Sequence, residues 1–202
     1  MSISFLPARS DLVLGHLRHF EGLYRQDPDP WRARETWSER HKRRTVQRAL
    51  GATRCGLGLE LGCGNGVTTR ELACRFAHLV AVDGSPMAIA HARRELAGLS
   101  NVELRQQELP ARLPQRRFDV IIASEILYYL PPSALASTLR CVYQALRRGG
   151  RFVSTHHWRR FDDAEVSHAR LTEITRGIFG LELRRIAGAG WRCDVFVRRT
   201  RR

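Results

Sequence analysis

Leu59-Glu-Leu-Gly-Cys-Gly-Asn-Gly66 is the stretch on which the fold of this 202-residue chain turns. It completes a short apolar run, Gly56–Glu60, and opens a helical pattern over Val67–Ala77. Gly62, Gly64 and Gly66 permit a tight turn and let a ligand lie against bare backbone. A dinucleotide loop has the spacing G-x-G-x-x-G. Here Val67 stands where its last glycine belongs. Glu60, two residues before Gly62, would repel a pyrophosphate, which seeks N–H groups and the positive end of a helix. An acid there suits a cationic ligand. No lysine follows the loop, which excludes a nucleoside-triphosphate P-loop.

Downstream, Leu79-Val-Ala-Val-Asp83 reads as a strand ending in an acid, 21 positions after Gly62. A carboxylate there can accept both hydroxyls of a ribose and disfavours a 2′-phosphate. Ser85 is an expected N-cap, with Pro86 at the first position of a helix to Leu96. Met87 would set a soft side chain against an adenine face. S-adenosylmethionine carries a sulfonium, an ammonium and a ribose, and so meets both acids.

Strands are then expected over Val102–Arg105, Phe118–Ala123 and Arg151–Thr155. Pro132–Arg148 is a helix with Leu135, Leu139, Val142 and Leu146 on one face, stopped by Gly149-Gly150. Ala164–Phe179 is helical. Leu181–Ala187 and Trp191–Val197, joined by Gly188-Ala189-Gly190, read as an antiparallel hairpin. Upstream, Leu12, Leu14, Leu17 and Phe20 mark an amphipathic helix. Gln26-Asp-Pro-Asp-Pro30 breaks the chain before a polar helix from Arg34 to Leu50. The alternation predicts an α/β fold with a doubly wound, mostly parallel seven-stranded sheet covered on both faces. One domain spans 1–202: a helical N-terminal extension or lid over 1–50, and a Rossmann-like core over 51–202.

Composition bounds the function. There is no run of 18 apolar residues, and Met1–Gly22 lacks a signal peptide's apolar core, so a cytoplasmic address is expected. Cys55, Cys63, Cys74, Cys141 and Cys193 are scattered, which argues against a zinc ribbon or a disulfide framework. The formal charge is +14, and Lys42 is the only lysine. Such a charge attracts polyanions, so a nucleic acid is a possible partner. The basic residues are nevertheless spread along the chain, without the aromatic interleaving that reads single strands. The Arg40–Arg44 run reads as a solvated helix face.

Glu60-Leu-Gly-Cys-Gly-Asn-Gly66, Val82-Asp83 and Phe118-Asp-Val-Ile-Ile-Ala-Ser-Glu125 together resemble the class I S-adenosylmethionine-dependent methyltransferases. A narrower resemblance rests on Asp29-Pro-Trp31, Ser38-Glu-Arg-His-Lys42 and Ser124-Glu-Ile-Leu-Tyr-Tyr-Leu130, which look like the nodulation protein NodS family. That resemblance implies methyl transfer to the free amine of a deacetylated chitin-like oligosaccharide. It also implies that Trp31 closes over the cofactor and that Arg40 meets its carboxylate, while the wider methyltransferase resemblance implies that Glu108 contacts the adenine amine. Gly84 and Ser124 complete the expected cofactor pocket.

Glu125 and Tyr128 follow the fourth strand, where an acceptor would lie. A carboxylate there can hold a cationic amine and help deprotonate it; Tyr128 can orient it. His156 and His157 follow the fifth strand, and His156 is the expected base. His168 lies further on; a His156–His168 metal site lacks an acid at helical spacing, so no metal is expected. Competing readings are O-methylation of a small metabolite and methylation of RNA. The expected partner is a small-molecule acceptor, with no membrane, and the protein acts as a monomer or homodimer.

Overall fold

The computed structural model describes residues 11–110, 113, 117–158, 162–188 and 190–199. Among them the chain runs α1 (Asp11–Gln26), α2 (Trp37–Ala49), β1 (Cys55–Leu61), α3 (Val67–Ala73), β2 (Phe76–Asp83), α4 (Pro86–Glu95) and β3 (Val102–Gln106). It continues through β4 (Phe118–Ser124), a 3₁₀ turn (Leu127–Tyr129), α5 (Pro132–Ala145), β5 (Leu146–His157), α6 (His168–Phe179), β6 (Arg184–Ala187) and β7 (Trp191–Val197). The strands form one sheet in the order β3-β2-β1-β4-β5-β7-β6. The first five are parallel to their neighbours, and β7 runs antiparallel to β5 and β6. Winding reverses between β1 and β4. The crevice beyond the carboxyl ends of strands at such a reversal is where ligands lodge.

Side-chain alternation divides the core between the two faces of the sheet. Along β4, Ile121 and Ala123 join Leu135, Leu139 and Val142 of α5 and Leu171 of α6. Val120 and Ile122 point the other way, to Val46 and Ala49 of α2 and Leu72 of α3. Fully burying a side chain of this size contributes about 1.5–3 kcal/mol. β5 continues the rule: Phe152 joins the α5–α6 face and Val153 the α2 face. At the end of β5 the same alternation aims His157 toward α2 and His156 toward α6.

Several boundaries differ from the sequence expectation. The helix expected over Val67–Ala77 stops at Ala73, because Phe76 and Ala77 pair into β2. The helix expected to reach Arg148 ends at Ala145, so Gly149-Gly150 does not stop it. Leu146 already pairs with Phe118, and the next pair in register is Val120 with Arg151. Residues 147–150 therefore bulge out of β5. Gly150 is required there, since a Cβ would lie 2.8 Å from the Arg147 carbonyl oxygen. α6 begins at His168 rather than Ala164, with the Ser167 hydroxyl accepting from the Arg170 N–H. β6 begins three residues later than expected, at Arg184, and Ala189 of the hairpin turn lies outside the described residues. No helix among the described residues is long and apolar enough to cross a membrane.

Candidate active site

A cavity of about 380 Å³ opens at the carboxyl edge of the sheet. Its floor at one end is the glycine loop, Gly62, Cys63 and Gly64, whose two glycines present bare backbone. Gly62 and Gly64 both have positive φ, 69° and 55°. A Cβ on Gly64 would lie 2.4 Å from the Tyr24 hydroxyl. Gly66 also has positive φ but does not line the cavity; a Cβ there would press on Ala92 of α4 at 3.1 Å. Its bareness serves helix packing.

Asp83 ends β2 and ties the loop to it. Its Oδ2 accepts from the Gly64 N–H and its Oδ1 from the Ser85 N–H, both at 2.9 Å. Each carboxylate oxygen keeps a further lone-pair direction. Burial raises the Asp83 pKa, against the lowering by these backbone donors. Glu60 is buried deeper, and its Oε2 has no hydrogen-bond partner among the described residues. Burial, reinforced by nearby Asp83, pushes its pKa up to about 7. A buried carboxylate oxygen left bare on a cavity wall is a place for a cation.

At the other end, β4 delivers Glu125, whose φ of 59° is in the left-handed region. A non-glycine residue pays about 1 kcal/mol there, and such strain collects at functional sites. The Glu125 N–H is anchored on the Thr155 carbonyl of β5 at 2.9 Å. Its Oε2 accepts from the Tyr128 hydroxyl at 3.0 Å. Lys42 Nζ stands 3.8 Å, and His157 Nε2 3.4 Å, from the same oxygen. Glu125 Oε1 is buried and has no hydrogen-bond partner among the described residues. Burial raises the pKa of Glu125, opposed by Lys42, His157 and Tyr128. Tyr128 and Tyr129 both line the cavity, with ring centroids 4.5 Å apart, so neither is merely core or surface.

The roof comes from the N-terminal segment. Phe20 of α1 packs on Tyr129 and Trp31, and Trp31 packs edge-on to Tyr24. Glu21 accepts from the Ser85 hydroxyl and from the Met87 N–H at 3.2 Å, so α1 caps the start of α4. His16 donates to Glu165 at 2.7 Å across the opposite rim. Asn65 of the glycine loop donates to the Pro28 carbonyl and to Asp29. None of Glu21, Tyr24 or Asn65 was singled out by the sequence, because each acts through partners distant along the chain.

Of the residues expected from sequence, Trp31, Glu60, Gly62, Gly64, Asp83, Gly84, Glu108, Ser124, Glu125 and Tyr128 line this one cavity. Arg40, Gly66, Ser85, Met87 and His156 do not. Arg40 is exposed and donates to the Glu35 carbonyl. Ser85 is spent on the α4 cap, its hydroxyl accepting from the Ala88 N–H. Met87 is engaged through its own N–H by Glu21. His156 is buried on the α6 face, its ring 5.0 Å from that of His168, and burial drops its pKa to about 3. Its neighbour His157 takes the cavity position instead.

The Arg40–Arg44 run is not a uniformly solvated face either. Lys42 and Arg43 are each only 4% exposed. Arg43 bonds Glu71 and the Ala33 carbonyl, while Lys42 enters the cavity wall. The one clue to Lys42 in the sequence was its being the only lysine among arginines. All five cysteines are free: Cys55, Cys63 and Cys193 are buried, Cys141 half-buried and Cys74 exposed. Among the described residues no three His, Cys, Asp or Glu side chains gather as a metal ion requires.

Known proteins fit this geometry. The family described as "Methyltransferase domain" matches residues 59–152. Nodulation protein S of Sinorhizobium fredii is 27% identical over 176 residues, 81% of each chain. A ubiquinone biosynthesis O-methyltransferase of Aeromonas salmonicida is 32% identical over 102 residues, 48% of this chain and 42% of its own. The crystal structure of N-methyltransferase NodS from Bradyrhizobium japonicum, in complex with S-adenosyl-L-homocysteine, superposes with a TM-score of 0.81. That match has 23% identity and covers 90% of this chain and 97% of the other. The matched domain marks an S-adenosylmethionine-dependent methyltransferase, and the sheet order and acid-flanked glycine loop are those of the class I fold. Its cofactor is S-adenosylmethionine. Within that class the chain resembles the NodS proteins.

Proposed function

We propose that this enzyme methylates the amine of a small acceptor, an amino sugar or related glycoconjugate as in the NodS reading. The observation that carries the amine is the Oε1 of Glu125, a buried carboxylate oxygen on the cavity wall that has no hydrogen-bond partner among the described residues. It has a counterpart at the glycine-loop end in Glu60 Oε2. The cavity thus offers two bare carboxylate oxygens, one for each of two cationic groups. Apart from Lys42, which is paired with Glu39, its other charged side chains are acidic. In a chain of charge +14, no arginine lines the cavity among the described residues, while Asp29, Glu39, Asp83, Glu108 and Asp163 do. Such a lining disfavours a polyanionic acceptor and so speaks against RNA.

When bound, the cofactor supplies a methyl group on a sulfonium. Glu60 would meet its ammonium, Asp83 its ribose hydroxyls, and the Gly62–Gly64 backbone its chain. Gly84 and Glu108 flank the adenosyl group, and Trp31 closes the side toward solvent. At the other end Glu125 holds the acceptor ammonium and helps to take a proton from it. Tyr128 fixes the Glu125 carboxylate and excludes water beside it. The described part of the 1–50 extension, from Asp11 on, serves as the cover of the site, and the protein acts as one domain, monomer or homodimer.

Incubation with labelled S-adenosylmethionine and glucosamine oligosaccharides, against their N-acetylated counterparts, tests the reading. Label is expected in the free-amine series alone. Label in both series would mean that a hydroxyl is the acceptor, as the likeness to an O-methyltransferase would have it. Label in RNA alone would overturn a small-molecule acceptor.

A further inference from the structure

The end of β5 sets His157 between a cation and an anion. Its Nδ1 lies 2.9 Å from the Gly190 carbonyl oxygen. A carbonyl oxygen only accepts, so Nδ1 carries a proton and Nε2 is the atom whose protonation varies. Lys42 Nζ stands 3.4 Å from Nε2. Glu125 Oε2 stands at the same 3.4 Å. These neighbours ask opposite things of one nitrogen. An ammonium can only donate to it, which requires a lone pair; a carboxylate can only accept from it, which requires a proton.

Lys42 is itself held in place. It is 4% exposed, and Glu39, one turn earlier on α2, pairs with it at 2.6 Å. Other charged or titratable groups stand near His157 among the described residues, and α2 also brings His41, its ring 5.6 Å from that of Trp191. From the turn after β4 come Glu125 and Tyr128, and His156 precedes it on the strand, facing away. β7 offers Trp191 as its cross-strand neighbour, followed by Arg192, while Asp163 shares the cavity.

We propose that Lys42, His157 and Glu125 form a proton-handling unit: His157 Nε2 receives the proton released by the acceptor amine, and Lys42 holds that nitrogen unprotonated until then. This rests on the amine reading above. Before reaction Nε2 accepts from Lys42. The acceptor ammonium, held at Glu125, loses one proton, which comes to rest on Nε2. The imidazolium then donates to Glu125 Oε2 in place of accepting from Lys42. The freed lone pair forms the N–CH₃ bond as the S–CH₃ bond breaks, and the sulfonium leaves as a neutral thioether. Lys42 is a positioning residue in this scheme; His157 is the group that touches the moving proton.

The test needs no acceptor. In the protein labelled with ¹⁵N-histidine, the His157 signals are assigned by their loss in H157N. Without substrate the Nδ1–H tautomer is expected above the midpoint of titration, with Nε2 titrating. K42M removes the neighbouring cation and should move that midpoint to higher pH. K42R keeps the charge and should return it toward wild type, which a merely structural role for Lys42 would not produce. E125Q removes the anion and should move it down. A proton on Nε2 in the resting protein, or one midpoint shared by wild type, K42M and E125Q, would overturn the proposal.

With glucosamine oligosaccharide as acceptor, K42M should also shift the acid limb of the kcat profile to higher pH. Its KM for S-adenosylmethionine should stay within twofold, and kcat should fall about tenfold. A wild-type enzyme that fails to methylate the oligosaccharide defeats the amine reading and leaves the titration to judge the three-residue unit.

Discussion

At the glycine-loop end of the cavity, Gly62, Gly64 and Asp83 sit at the tips of two strands that pair side by side and follow each other in sequence. At the other end, Lys42 and His157 meet across 115 positions of chain, with Glu125 from a third segment between them. The first end is made of backbone N–H groups and two acids at short spacing. The second is made of side chains from α2, β4 and β5, brought together by the sheet. A local motif can be read off a line of letters; a constellation assembled by packing cannot. The two ends should therefore break separately, and each substitution below asks whether they do.

The largest effect is expected at the end built locally. Asp83→Ala removes the acceptor of the Gly64 and Ser85 N–H groups together with the proposed ribose contact. Hydrogen bonds to a charged group contribute about 1.5–3 kcal/mol each, so affinity for S-adenosylmethionine should fall roughly 100-fold or more. Titration calorimetry measures it directly. A fall below about tenfold would take Asp83 out of the cofactor site.

Glu125→Gln probes the other end. It keeps the shape and the Tyr128 contact but removes the charge. Turnover should drop about 10- to 100-fold while affinity for S-adenosylmethionine stays within about twofold. If cofactor affinity fell with turnover, the two ends would be one site and the contrast between them would dissolve.

The contrast also accounts for what the sequence disclosed. The strand–helix alternation, the glycine turn, Glu60 and Asp83 were all legible, because each is decided by neighbours within a few residues. Glu125 and Tyr128 were legible from their place after β4. His156 was chosen over His157 because a strand end alone does not say which residue faces which layer. The packing of β5 between α2 and α6 decides that, and it favours His157. Lys42 was hidden in a basic run whose exposed members, Arg40 and Arg44, resemble it in composition and differ only in burial. Arg148 was placed in a helix because the apolar period runs through Leu146, a residue that in fact pairs with Phe118 in the sheet.

Glu60→Gln sharpens the comparison through pH. Glu60 titrates near 7 in the folded protein, above the ordinary glutamate value. The native state thus holds a proton that the unfolded state has already lost, and stability falls as pH rises through this interval. Without ligand, Glu60→Gln should match wild type near pH 5 and melt at higher temperature near pH 8. Affinity for S-adenosylmethionine should nonetheless fall about tenfold, the loss of one charge-assisted contact. Near neutral pH, wild type should release a proton on binding, detected as a buffer-dependent binding enthalpy, and the variant should not. Equal melting curves at pH 8 would mean that Glu60 is not the buried acid the geometry makes it.

The smallest effect is expected where α1 covers the locally built end. Glu21 reaches from α1 to the Ser85 hydroxyl and the Met87 N–H, joining the cover to the start of α4. Glu21→Ala leaves the other tethers of the segment in place: His16 on Glu165, the His91 ring on the Tyr24 carbonyl, and Asn65 on Asp29. One lost attachment among several should raise local opening of α1 without unfolding it. Amide exchange over Leu14–Gln26 should quicken, and affinity for S-adenosylmethionine should fall about two- to fivefold, on the order of 0.5–1 kcal/mol. Turnover at saturating cofactor should hold, since Glu125, His157 and Lys42 lie beyond the reach of Glu21. A loss of turnover equal to that of Glu125→Gln would show that α1 governs both ends, making the cover rather than the sheet the element that joins them.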